Sequence, residues 1–268
     1  MSTVLDSNKA KTARRVVEVL EFFDEHNRQA TVMDIVRRYN RPQSSTSELL
    51  ASLVELGLLY RETGSRFYSL TPRAAILGSL SQPNFMRDGS LSTLIERLVS
   101  QTGLGIALLG MVGLNAQIFR WAAGSKYLPR VQGDLRNGEQ DALCGSAAGQ
   151  LLLSTVRSER RAGVIRRLNA EAPDDRKFSY PEMSLLIQDL ARQDYAIGPA
   201  SFGSSAQMAA VLMPSDLGER PMVLSFIHEP NADIDPQALV ALLQKSVQRC
   251  VAPPIDDGAE QHSISSAA

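Results

Sequence analysis

Apolar residues return at helical spacing three times within the first sixty positions, and the third series is bordered by hydroxyls instead of charges. Ala13, Val16, Val17, Leu20 and Phe23 predict an amphipathic helix over 12–26 with one buried face. Thr31 stands three residues before Asp34, which predicts an N-cap with an acid at the positive end of the helix dipole. Val32, Ile35, Val36 and Tyr39 continue that second, short helix. It has to stop before Pro42, because proline has no amide hydrogen and disfavours the helical conformation of Arg41. A third helix starts around Gln43 or Ser44, with Thr46, Leu49, Leu50, Leu53 and Leu56 facing inward until Gly57 ends it. The alternation in LLYRETGSRFYSLT about a Thr-Gly-Ser turn predicts a two-stranded wing. Two helices joined by a tight turn, followed by a hairpin, make a winged helix-turn-helix.

Further along, Ala74, Ala75, Leu77 and Leu80 predict a short helical segment that Pro83 breaks, and Leu91, Leu94, Ile95, Leu98 and Val99 predict another on a clear stripe. Together they read as a connector over 72–102. Strands are predicted at 104–112, 116–122, 206–214 and 221–228, with a hairpin at Gly113, and helices at about 144–155, 158–169, 182–193 and 235–250. Strands enclosing helices make an α+β domain. The charge-free stretch 98–119 has a membrane-compatible length. Ser100, Gln101, Thr102, Asn115 and Gln117 interrupt it with groups lipid would not solvate, so buried strands are expected there instead of a span.

Composition changes this picture little. The chain has 268 residues, 44% apolar and 21% charged, the balance of a soluble globular protein with one large or two ordinary domains. Its net charge is -1, so any nucleic-acid surface has to be a local patch. Residues 1–80 carry eleven Lys and Arg against nine acids, and the remainder is net acidic. The N-terminus has no apolar stretch before a cleavage site, so no secretory signal is expected, and a cytoplasmic location fits. The C-terminal PPIDDGAEQHSISSAA is polar and proline-punctuated, the composition of a disordered tail.

The hydroxyl border of the third helix suggests its chemistry. If the leucines are buried, Gln43, Ser44, Ser45, Ser47 and Ser52 lie outward or at the N-terminal end, where short polar side chains approach phosphates and base edges without bulk. Unpaired amides at the helix start attract phosphate as well. Arg41 at the turn and Arg61 and Arg66 beside the wing tip are placed to meet backbone or minor groove. The candidate DNA contacts are therefore Arg41, Gln43, Ser44, Ser45, Thr46, Ser47, Arg61 and Arg66. Glu48 is a contrary feature, since an acid there repels phosphate unless it accepts from a cytosine amino group. A winged helix that binds protein instead of DNA is the alternative, and a salt-dependent duplex shift separates the two.

Enzymatic readings find little support. Cys144 and Cys250 form no CxxC pair, the three histidines (His26, His228, His262) form no metal triad, and neither GxxxxGK[ST] nor GxGxxG after a strand is present. Cys144 as a thiolate with His228 as base would need a pairing across distant sequence. No enzyme activity and no cofactor or metal are expected.

The order RRVVEVLEFF, then TVMDIVRRYNRPQSSTSELLASLVELGLLYRE, then GSRFYSLT, resembles the winged helix-turn-helix of IclR-type bacterial transcriptional regulators. In that family the segment matching Pro42 to Ser47 opens the recognition helix, and the hairpin matching Thr63 to Tyr68 is the wing. Downstream, LRNGEQDALCGSAAGQLLLST resembles the family stretch in which a glycine precedes an Ala/Gly-rich helix, RQDYAIGPASFG is similar to the family's later strand entry, and the resemblance spans about residues 9–251. Gln150 stands where the family usually has lysine, and Gly198, Pro199 and Ala200 replace its common acids. The resemblance implies a GAF-like effector domain. It also implies control of a catabolic operon, by repression before activation, and a small organic effector, carboxylated or aromatic.

If this domain takes a small molecule, Cys144, Gly145, Ser146 and Ala147 form a small-residue helix entry whose amides suit a carboxylate. Trp121, Tyr127, Leu128, Phe202, Met208 and Phe226 are candidates for an apolar wall, and Ser201, Ser204, Ser205, Gln207 and Ser225 for orienting hydrogen bonds. The expected organisation is an α/β multidomain chain. A flexible start (1–8) leads to a winged helix-turn-helix (9–72) and a connector helix (73–83), and an α+β GAF-like effector domain (84–251) precedes the tail (252–268). The expected partners are palindromic double-stranded operator DNA, a small-molecule effector and further copies of the chain as a homodimer or homotetramer, with no membrane.

Overall fold

The computed structural model describes residues 8–24, 27–62, 64–79, 89–126, 135–214, 220–230 and 233–251. The chain divides into two compact units, residues 1–82 and 83–268. The N-terminal segment 1–7, the C-terminal segment 252–268, Leu80, Pro83, Tyr127, Leu128, His26 and His262 lie outside the described residues.

The first unit holds α1 (Asn8–Phe22), α2 (Val32–Tyr39), α3 (Gln43–Glu55), the antiparallel pair β1 (Leu59–Arg61) and β2 (Tyr68–Leu70), and α4 (Pro72–Ser79). α1 stops four residues short of the expected end, where Asp24 Oδ1 accepts the Asn27 N–H at 2.7 Å and offers the chain a local turn in place of another helical bond. Its buried stripe is rotated from the expected one, with Val19 in the core and Val17 52% exposed. Thr31 caps α2 in a reciprocal box: its hydroxyl accepts the Asp34 N–H, and its own N–H and hydroxyl donate to Asp34 Oδ2 at 2.8 and 2.7 Å. These bonds hold the Asp34 carboxyl below the usual carboxylate range.

Asn40 closes α2 in the left-handed conformation and Pro42 opens α3, so the turn between the helices is three residues long. Ile35, Leu50, Leu53, Leu59 and Tyr68 join Val19 and Ala30 in one core. Leu56, expected inside, is 61% exposed. It sits at the C-cap, and Gly57, at a φ of +71°, turns the chain so that Leu58 instead of Leu56 returns to the core side. Ala30 exchanges two backbone hydrogen bonds with Tyr68, which ties the entry of α2 to the wing.

The second unit is a six-stranded antiparallel sheet in the order β5-β4-β3-β8-β7-β6. Its strands are β3 (Gly105–Val112), β4 (Asn115–Ala122), β5 (Gln140–Ala142), β6 (Tyr195–Pro199), β7 (Gln207–Leu212) and β8 (Met222–His228). The helices are α5 (Ser90–Thr102), α6 (Ala147–Ser154), α7 (Ser158–Glu171), α8 (Tyr180–Gln193) and α9 (Pro236–Val251). Alternation splits the strands into two apolar faces. Ile106, Leu108, Val211, Leu224 and Phe226 pack with α5 and α9, whereas Ala107, Leu109, Met208, Val223 and Ile227 pack with α6, α7 and α8. α5 is therefore part of the second unit's core and not a connector: Leu91, Leu94, Ile95 and Leu98 are all buried against the sheet.

Candidate nucleic-acid interface and ligand cradle

The outer edge of α3 is polar and open. Gln43, Ser44, Ser47, Glu48 and Ser52 are exposed, while Leu50 and Leu53 on the opposite side are buried. No side chain caps the helix, because its N-cap is Pro42, so its first-turn amides are left to water or to an anion. Thr46, expected both on the inward face and among the contacts, is 1% exposed, as the inward face requires. Its hydroxyl donates to the Pro42 carbonyl at 2.8 Å, so it holds the turn instead of facing outward. Ser45 is half-buried between two partners, accepting from Arg15 Nη2 at 3.2 Å and donating to the Pro42 carbonyl at 3.3 Å.

Arg41 is engaged inside the unit. Its Nη2 and Nε reach the two carboxylate oxygens of Glu18 at 2.7 and 3.3 Å. Arg61 is exposed, with its guanidinium 5.9 Å from the centre of the Tyr68 ring, and Arg66 is exposed beyond it. Arg15 and Glu18, on one edge of α1, were not legible as parts of this surface. Their partners lie 30 and 23 residues away, and no local spacing announces such contacts. Glu18→Gln is expected to free Arg41 for phosphate. Duplex affinity then rises at low salt, and the log–log salt slope steepens by about 0.9, read by fluorescence anisotropy over a salt series.

In the second unit the entry to α6 is crowded. Leu143–Gly145 form a single 3-10 turn, and Ser146 caps α6 with its fully buried hydroxyl accepting the Gly149 N–H at 3.1 Å. The Ala148 N–H meets the Met208 sulfur at 3.2 Å. Two first-turn amides expected to be open to a carboxylate are therefore already engaged. The helix lies close to the sheet because the row beneath it is small: Ala107, Ser225 and Ala210 are cross-strand neighbours, and Gly198 stands opposite Ala147. Ser225 is fully buried, and its hydroxyl donates to the Ala107 carbonyl at 3.3 Å. The Trp121 ring covers Gly105 on this same face.

Asp141, which the sequence did not single out, joins the two halves of the cradle. Its Oδ2 accepts the Phe202 N–H at 3.0 Å, its Oδ1 accepts the Ala142 N–H at 2.9 Å, and its carboxylate closes on Gly145. Cys144, Gly145, Ser146, Ala147, Ser201 and Phe202 are thus gathered at one end of α6, with Gln207 half-buried at the start of β7. Phe226, a candidate for the wall, faces α5 and α9 on the other side of the sheet. Alternation puts His228 on that side as well, and its Nδ1 lies 2.8 Å from the Glu229 carbonyl. Burial pushes the Cys144 thiol up to about 12. A protonated thiol on one face and an imidazole on the other do not form a nucleophile–base pair. Among the described residues no group of three or more His, Cys, Asp or Glu gathers as a metal site, and no helix is long and apolar enough to cross a membrane.

The first unit is a helix-turn-helix with a wing, and the second is an antiparallel sheet that carries helices on both faces. Residues 12–63 match the model of the IclR helix-turn-helix domain. An IclR homologue from Microbacterium hydrocarbonoxydans, solved in complex with 4-hydroxybenzoate, shares the fold at 18% identity. The match covers 89% of this chain and 97% of that one, with a TM-score of 0.58. An IclR regulator from Alicyclobacillus acidocaldarius does so at 20% identity, over 92% and 97% of the two chains, with a TM-score of 0.56. For IclR of Thermotoga maritima the values are 15% identity, 90% and 96% coverage, and a TM-score of 0.55. No curated protein matches the sequence. Residues 12–63 therefore match the helix-turn-helix domain of the IclR family, and the chain as a whole shares the fold of these solved IclR structures.

Proposed function

We propose that the chain is a ligand-responsive, cytoplasmic repressor of a catabolic operon, acting on palindromic operator DNA as a homodimer or a dimer of dimers. The observation that carries this reading is the open polar edge of α3, with uncapped first-turn amides and leucines buried behind it. Gln43, Ser44 and Ser47 read base edges, and Arg61 and Arg66 meet the backbone. One thirteen-residue helix touches too few bases for specificity, so two heads on a palindrome are required. Val17 and Leu77, apolar and exposed in the N-terminal unit, offer surface for the second copy.

The α6 cradle, with Ser146, Ala147, Trp121, Phe202 and Gln207, is the seat of a small organic acid. The 4-hydroxybenzoate complex of the Microbacterium protein makes aromatic carboxylates the first class to test. Binding there alters operator affinity only through differential affinity for two states of the chain. The test is titration of the full chain onto duplexes selected from a random pool, over a salt series and with or without 4-hydroxybenzoate. A binding constant that falls steeply with salt and changes with the acid supports the reading. Salt-independent association, or none, overturns the DNA role, and an unchanged constant with every aromatic acid overturns the effector class.

A further inference from the structure

A groove of about 530 Å³ opens in the second unit at the far end of α6 from the cradle, where Thr155 ends that helix. Its volume falls within the range of small-molecule sites, roughly 300–1,000 Å³. The floor is apolar: Met213 leaves the end of β7, Met222 begins β8, and Val247 comes from α9, each nearly fully buried. Gln244 and Gln248, one helical turn apart on α9, add two carboxamides to one wall.

Two opposite charges complete the lining, Asp194 and Arg220. Both are exposed, and neither forms an ion pair with a described residue. Asp194 is the left-handed C-cap of α8, and its carbonyl accepts the Leu212 N–H at 2.9 Å, so its backbone is fixed against β7. Arg220 stands two residues before β8, whose Met222 carbonyl accepts the Met213 N–H at 2.8 Å. A cation and an anion that line one apolar floor without pairing to a described residue complement a molecule with both charges and an apolar body.

We propose that this groove is a second ligand site, which takes a small zwitterion with an apolar side chain, the chemistry of a free apolar amino acid. The guanidinium of Arg220 meets the carboxylate, the carboxylate of Asp194 meets the ammonium group, and the side chain lies on Met213, Met222 and Val247. The site does not depend on the cradle, which lies at the opposite end of α6.

The full chain labelled with [13C-methyl]methionine tests this, because Met213 and Met222 line the groove while Met208 reports the cradle through its contact with Ala148. The probes are L-leucine and L-phenylalanine, compared with N-acetyl-L-leucine, which lacks the ammonium group, and L-leucine methyl ester, which lacks the carboxylate. The expected result is a saturable shift of the Met213 and Met222 signals with Met208 unmoved. Affinity should weaken about tenfold, the loss of about 1.4 kcal/mol, for each blocked probe and for Arg220→Ala and Asp194→Asn. The proposal is overturned if no saturable shift occurs, if the blocked probes bind as well as the parents, if both variants keep full affinity, or if Met208 alone responds. The last outcome would move the ligand to the cradle and leave the regulatory reading intact.

Discussion

Ser44→Glu combined with Ser47→Glu is expected to lower duplex affinity by about 100-fold while leaving the thermal midpoint unchanged or slightly raised. The two effects part because the same charge acts differently on helix and ligand. The first turn of α3 contains no acid, and both serines are exposed, so Ser44→Glu near the positive end of the dipole stabilises the helix by roughly 0.3–1 kcal/mol, which like charges at Ser47→Glu and Glu48 offset by about 0.2–0.5 kcal/mol each. Against phosphate the sign reverses, and like-charge juxtaposition at an interface costs several kcal/mol. Anisotropy with the selected duplex and differential scanning calorimetry read the two quantities. Retained affinity at an unchanged midpoint would mean that this edge of α3 does not face the duplex.

Gly149→Ala is expected to destabilise the second unit by about 1–3 kcal/mol, although alanine is the better helix former by about 1 kcal/mol. A Cβ at Gly149 would run into the carbonyl of Leu143, with the carbon and Cα of Leu143 at 2.9 and 3.0 Å. These are backbone atoms of the turn that feeds the Ser146 cap, so they cannot swing aside as a side-chain end would. Gly163→Ala in α7 is the matched control. It meets nothing within 4 Å, and its expected effect is a gain of about 0.5–1 kcal/mol. Urea unfolding followed by fluorescence of Trp121, the only tryptophan of the chain, reports on the right unit. Equal gains for both variants would show that α6 is free to move off the turn.

Much of this architecture was legible in the sequence because its elements carry strong periodicity or punctuation. Thr31 with Asp34, Pro42, Gly57 and Gly113 mark ends, and each stands at the end or turn it was read to mark. The strand β5 was not anticipated, and β6 was expected only from the family resemblance and not from its own residues, for different reasons. β5 is three residues long with no alternation to detect, and β6 ends in Gly198 and Pro199, which read as loop punctuation. Both lie at the edges of the sheet, where a proline lacking its N–H is tolerated. The site was legible as residue type but not as partnership. The hydroxyl border of α3 stands out in the chain, and helical spacing already put Thr46 on its inward side, but the engagement of Arg41 by Glu18 depends on how α1 meets the turn. Asp141 was invisible because its role is to receive amides from Phe202, 61 residues away.

Ser201, Phe202 and Gly203 adopt left-handed conformations in succession, with φ of +56°, +55° and +75°, and the first two have a Cβ that disfavours it. Such residues cost of order 1–3 kcal/mol each and persist only where their surroundings impose them. Here the constraint includes the Asp141 bond to Phe202 and the 2.6 Å bond from the Ser204 hydroxyl to the Ser201 carbonyl. Core packing of Phe202 and the Ser204 N–H bond to the Ser201 carbonyl at 3.1 Å add to it, so this strained turn is held by its neighbours, and Asp141 ties its shape to the entry of α6.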